Sequence, residues 1–163
     1  MTLDRLDAAI LSKLLDDGRA TMLEVSESVG LSPSACARRV KQLEDCGYIT
    51  GAQATVDLGR LGLPVLALVT FTLTRQTEET LQAFEEAVLK CPPILWCYLM
   101  SGSSDYIAGI AARDINHFEA IHKSRLSRLP GVATLQSSFA LREVVRRPAP
   151  SDLRAELARQ VQP

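Results

Sequence analysis

The sequence is poor in the residue types that build catalytic and metal centres. It has two histidines, His117 and His122, and both fall in a helical pattern beside Phe118 and Ile121. The four cysteines, Cys36, Cys46, Cys91 and Cys97, form no closely spaced pair and have no histidine near them, which removes zinc-binding spacing. Reduced structural thiols are the expectation. No pattern brings a base to a serine or cysteine, so nucleophilic catalysis has no candidate, and neither a catalytic residue nor a metal or cofactor is expected. No apolar run approaches the ~20 residues of a membrane span. The opening "MTLDRLDAAI" carries acidic residues where a secretory signal carries basic ones, so a cytoplasmic protein with no membrane partner is expected. Charge of one sign is lacking too. A net charge of -1 gives no global pull toward polyanions, and any such affinity must be local.

What is present is ordinary globular material. The 163 residues are 47% hydrophobic and 23% charged, enough for one domain or two small ones. The first fifty read as three helices. Asp4 caps a helix with Leu6, Ile10, Leu14 and Leu15 at helical spacing, ended at Gly18. Thr21 and Glu24 have capping-box spacing, with Leu23, Val25 and Val29 as the apolar side and Gly30 as the stop. Ser32 then serves as N-cap with Pro33 at the first helical position, and Gly47 ends this third helix.

Helix, short helix, turn and helix is the helix-turn-helix arrangement. On the third helix Cys36, Val40 and Leu43 share one side, so Ser34, Ala35, Arg38, Lys41 and Gln42 point away and Arg39 sits at the boundary. A basic, amide-bearing face with small residues near Ser32 suits a DNA major groove. Arg38, opposite the apolar stripe, is the expected base reader; Arg39 and Lys41 are expected on phosphates, or Arg39 on an acidic neighbour. The alternative is a three-helix bundle with a solvated charged face, since Glu44 and Asp45 stand within pairing distance of the cluster. Residues 1–50 hold six Lys or Arg against eight Asp or Glu, so any DNA affinity rests on that one face.

From Ile49 the pattern changes. "ITGAQATVDL" reads as a strand leading into a linker over 51–62, and residues 63–147 read as βαββαβ. The strands are "VLALVTFTL", "ILWCYLMS", "YIAGIAA" and "VATLQSSFALREVV"; the helices are "TEETLQAFEEAVLK" and "INHFEAIHKSRLSRL". The fold class is therefore α+β, a helical domain (1–50) before a ferredoxin-like domain. Residues 148–163 are an extension with a short helix capped near Ser151. The expected strands are apolar on both faces. Val65, Ala67, Val69, Phe71 and Leu73 lie opposite Leu66, Leu68, Thr70 and Thr72, and Ile94, Trp96, Tyr98 and Met100 lie opposite Leu95, Cys97 and Leu99. Two helices cover one face of such a sheet, and a second copy is the expected cover of the other. A homodimer would present two recognition helices to two half-sites of duplex DNA.

Three runs carry a family resemblance: "LD…IL..L..DGR", "GLSPSAC.RRV..LE..G.I.G" with the following "DLGRLG", and "YLMSGSSDY" with "RLPGVATLQSSFAL". Over about residues 3–145 the chain resembles the Lrp/AsnC, or feast/famine, transcription regulators. The resemblance implies a helix-turn-helix domain joined to a ligand-sensing domain, amino acids as effectors, and dimers that assemble into rings such as octamers. The family's effector loop usually reads Gly-Asp-x-Asp-Tyr; here it is Gly102, Ser103, Ser104, Asp105, Tyr106, with serine for the first acidic residue. Asp105 and Tyr106 match position for position. Ser101, Gly102, Ser103 and Ser104 join them as effector candidates, with Thr134, Gln136 and Ser138 on the last strand. The lost charge at Ser103 favours an effector with an uncharged or acidic side chain. Asp105 has a plainer alternative, that of capping the turn. The reading of the whole is a DNA-binding regulator tuned by a small amino acid. A helix-turn-helix turned to protein interaction is the alternative, and an enzyme on this fold lacks any reactive constellation.

Overall fold

The computed structural model describes residues 2–150 and 152–160. Its helices α1 (Arg5–Asp16), α2 (Met22–Val29) and α3 (Pro33–Asp45) precede β1 (Val65–Leu73), α4 (Glu78–Leu89), β2 (Ile94–Leu99), β3 (Tyr106–Ala112), α5 (Ile115–Ser124), β4 (Val132–Phe139) and α6 (Leu153–Gln160). Contacts divide the chain into two units, one of residues 1–55 with 145–163 and one of residues 56–144.

In the first unit each helix begins on the cap its sequence offers. Asp4 Oδ1 accepts the N–H groups of Leu6 and Asp7, and Asp7 Oδ2 accepts the Asp4 N–H at 3.0 Å. Thr21 and Glu24 form the reciprocal pair on α2, and Ser32 accepts the Ala35 N–H on α3. Each such cap contributes about 1 kcal/mol by satisfying N–H groups that have no partner inside the helix. Ile10, Val25, Cys36 and Leu43 form the buried centre, with Val29 and Val40 against it. Leu23 is a correction: it is exposed rather than on the apolar side of α2. It lies about 200° around the helix from Val25, so one face cannot bury both. Ser26 is buried instead, its hydroxyl donating to the Leu23 carbonyl at 2.8 Å. The C-terminal extension forms α6, which packs on α1 with Leu157 buried. The expected cap Ser151 lies outside the described residues.

The strand expected over "ITGAQATVDL" is not formed, and residues 49–57 carry no regular element. Alternation alone does not make a strand; its N–H and C=O groups need a neighbouring ladder, and this segment has none among the described residues.

The second unit is βαββαβ with an antiparallel sheet in the order β2-β3-β1-β4. Ala67, Val69, Phe71, Tyr106, Ala108 and Ile110 point from the sheet toward Phe84 of α4 and Phe118 and Ile121 of α5. The second helix stops at Ser124 and continues as a 3-10 turn over Leu126–Arg128, which still buries Leu126 and Leu129. Two boundaries differ from strict alternation. Ile94 faces Ile110 whereas Trp96 faces Gly109, so Leu95 is an extra, bulged residue. The bulge moves Ile94 to the helix side with Cys97 and Leu99, and leaves Trp96 and Tyr98 on the open face. The last strand ends at Phe139 rather than reaching Val145. Its partner β1 starts at Val65 after Pro64, which has no N–H to extend the ladder.

Candidate functional site

The first candidate surface is the outer side of α3. Ser32, Ser34, Arg38, Lys41 and Gln42 are exposed and Ala35 is half-buried, while Cys36 and Leu43 anchor the opposite side. Ser32 Oγ lies 3.3 Å from Ser34 Oγ, so the two hydroxyls form a small polar group at the helix start. Lys41 Nζ is 3.3 Å from Asp45 Oδ1, an exposed pair one turn apart that competing phosphate oxygens can replace at little cost. Among the described residues Arg38 makes no ion pair.

Arg39 is placed differently. Its Nη1 donates to Asp4 Oδ2 and to Asp7 Oδ1, each at 2.7 Å, and Asp7 is buried. Of the two roles expected of Arg39, the acidic-neighbour one is formed, with two carboxylates of α1 on that nitrogen. The bonds from Asp7 and Asp4 raise the guanidinium's pKa. Burial pushes the Asp4 carboxyl up, but the hydrogen bonds from the Asp7 N–H and Arg39 outweigh it and leave it below its ordinary 3.8. The α1 cap and the α3 guanidinium are one network.

The second candidate surface is the β2–β3 loop. Ser101, Gly102 and Ser103 are exposed and Ser104 and Asp105 half-buried; Gly102 has φ 145°, a backbone region open mainly to glycine. Asp105 is held on every side. Its Oδ2 accepts the Leu73 N–H at 2.6 Å and its Oδ1 accepts Gln76 Nε2 at 3.2 Å. Its own N–H donates to the Phe71 carbonyl, and its carbonyl accepts the Met100 N–H. The carboxylate therefore ties the loop to the end of β1.

Tyr106 is a correction. Its ring is buried on the helix side of the sheet, and its hydroxyl donates to Glu85 Oε1 of α4 at 2.8 Å. It follows Asp105 in sequence but points away from the loop, since register with Phe71 sends it into the core. Burial and the Glu85 carboxylate both push its phenol pKa up.

Thr134, Gln136 and Ser138 are exposed on the open face, opposite Thr72, Thr70 and Leu68 of β1. Only Thr134 stands at the loop's end of the sheet. Ser138 is four residues further along, roughly 13 Å at strand rise. Thr70, Thr72, Leu73 and Gln76 complete the polar neighbourhood and were not singled out from sequence, because pairing register is not written in either strand alone. The rest of the open face is apolar: Leu66 and Leu68 beside Ile107 and Ala111, then Trp96 and Tyr98 with ring centroids 5.5 Å apart. Trp96 lies flat over Gly109, where a Cβ would meet indole Cε2 at 2.3 Å.

Comparison with known proteins bears on both surfaces. Residues 3–50 match the winged helix-turn-helix DNA-binding family model, and residues 66–150 match that of the Lrp/AsnC ligand binding domain. The HTH-type transcriptional regulator y4sM of Sinorhizobium fredii is 49% identical over 117 residues, 72% of this chain and 92% of its own length. The Bkd operon transcriptional regulator of Pseudomonas aeruginosa is 38% identical over 148 residues, 91% and 97% of the two chains. A Neisseria meningitidis transcriptional regulator solved in complex with L-Met superposes with a TM-score of 0.84 at 34% identity, covering 93% of this chain and 97% of that one. The chain belongs to the Lrp/AsnC family, transcriptional regulators in which a helix-turn-helix DNA-binding unit is joined to a ligand-binding βαββαβ unit.

Proposed function

We propose that this regulator works as a homodimer whose α3 helices read duplex DNA through Arg38, Gln42 and Ser34, with Lys41 on phosphate. The observation that carries the DNA reading is the division of labour on α3. Arg39 is tied down inside its unit, while Arg38, one residue earlier, is exposed and without an ion pair among the described residues. A guanidinium left in water on a capped helix is ready for a bidentate base contact. The dimer rests on the open sheet face, where Leu66, Leu68, Ile107, Trp96 and Tyr98 form an apolar surface that a second copy would bury. Larger rings, octamers included, are part of the same proposal. So is a cytoplasmic location, where the DNA is; no described helix is long and apolar enough to cross a membrane.

The effector is proposed to be an amino acid with an uncharged side chain, held at the loop 101–104 and Thr134. The neighbour complexed with L-Met supports the ligand class. Exposed serine hydroxyls and the backbone N–H groups around Gly102 suit a carboxylate. Asp105 acts from beneath by fixing the loop. Titrating labelled duplexes, selected from a random pool, at rising salt with and without L-methionine tests the reading. Phosphate contacts make the affinity fall steeply with salt, and the amino acid should shift the curve.

A further inference from the structure

The second unit carries two unsatisfied apolar features at opposite edges of its sheet. Beyond β4, after the Ala140 N–H donates to the Leu66 carbonyl, the chain forms no further strand pairing among the described residues. Leu141 is 98% and Val144 82% exposed on this arm. At the other edge, α4 and β2 enclose a groove of about 460 Å³, floored by Phe84, Val88 and Cys97. Leu89, Leu95 and Leu99 form its lips, at 86%, 46% and 58% exposure. Burial pushes the Cys97 thiol up to about 11, so the floor stays uncharged.

We propose that the arm 140–145 of one copy lies along the α4–β2 groove of the next, adding a strand to β2. Three observations single out this occupant. β2 pairs with β3 on one side only, so its outer N–H and C=O groups are open to an extended segment. The arm is partly β-branched and already leaving a sheet edge. Charge matches as well: in an added strand Arg142 and Val144 share one face, toward the Glu85 that lines the groove, and Glu143 falls on the other. The arm cannot serve its own groove, because β1 and β3 stand between β4 and β2. The contact is therefore head-to-tail, the kind that builds rings when it closes. It shares only Trp96, which also lines the groove, with the open-face residues assigned to the dimer, and stands apart from the DNA and effector readings.

The test is assembly size by sedimentation across concentration, with circular dichroism to confirm folding. An arm variant (Leu141→Asp with Val144→Asp) and a groove variant (Leu89→Asp with Leu95→Asp) are each expected to need at least tenfold more protein to reach the wild-type assembly. If Leu95→Asp costs the fold, Leu89→Asp alone carries the groove arm of the test. Mixed one to one, the two variants should recover cross-subunit pairs, since one keeps an intact groove and the other an intact arm. Wild-type assembly by either variant, or a mixture no larger than its components, would overturn the proposal. Loss in the arm variant alone would overturn it equally, by giving the groove to some other occupant.

Discussion

Arg39 of α3 and Asp7 of α1 form an ion pair at 2.7 Å in which the carboxylate is buried and the guanidinium about a quarter exposed. The same Arg39 nitrogen binds Asp4, so the cap of one helix and the middle of the next are set by a single group. Arg39 therefore orients the helix on which Arg38 stands.

Removing the charge at Asp7 should cost more than its size suggests. Asp7→Asn is expected to destabilise the helical unit by about 1–3 kcal/mol, less than for a fully buried pair because Arg39 keeps some solvent. Urea denaturation followed by helical circular dichroism measures it. A change under ~0.5 kcal/mol, the range of ordinary surface substitutions, would show the pair to be incidental.

Acid should act through the same network. The folded Asp4 pKa lies below its ordinary 3.8, so its contribution is present above that value and lost as pH falls through the lower, folded one. Asp4→Asn should remove this part of the pH dependence, giving a flatter stability profile below pH 3.8 than wild type. Parallel profiles for the two proteins would contradict the assignment.

Much of this unit was legible because its signals are local. Asp4, Thr21 with Glu24, and Ser32 with Pro33 each announce a helix start within four residues, and each is where a helix starts. What was misread depends on partners distant in sequence. Tyr106 is taken from the loop by register with Phe71 and by Glu85, Ile94 is turned over by a bulge, and β4 stops where Pro64 ends its neighbour. The segment 49–57 has the alternation of a strand but no ladder to join. Asp105 shows the same limit, since nothing near it in sequence points to Leu73 or Gln76.

Gly109 gives a test of the open face. A methyl group there would meet the Trp96 indole, so Gly109→Ala should lift the ring off the sheet. Trp96 is the chain's single tryptophan, and its emission reports the change directly. Altered emission with weakened self-association is expected. An unchanged spectrum would place the ring elsewhere.

Asp105 separates support from contact. Asp105→Ala leaves the Leu73 N–H without its acceptor and should lower stability by about 1–2 kcal/mol. Asp105→Asn keeps an oxygen for that N–H and should fold normally and keep the thermal shift given by L-methionine. Loss of that shift in a folded Asp105→Asn would contradict a supporting role and put the carboxylate in contact with the effector.

The central claim is that α3 reads DNA with Arg38 while Arg39 holds the helix in place, and binding by Arg38→Ala tests it most directly. Fluorescence anisotropy on duplexes selected from a random pool by the wild-type protein should show affinity lower by about 1–3 kcal/mol, with one base position relaxed. Thermal stability should stay within ~0.5 kcal/mol of wild type. Unchanged affinity and unchanged sequence preference in Arg38→Ala would contradict the account.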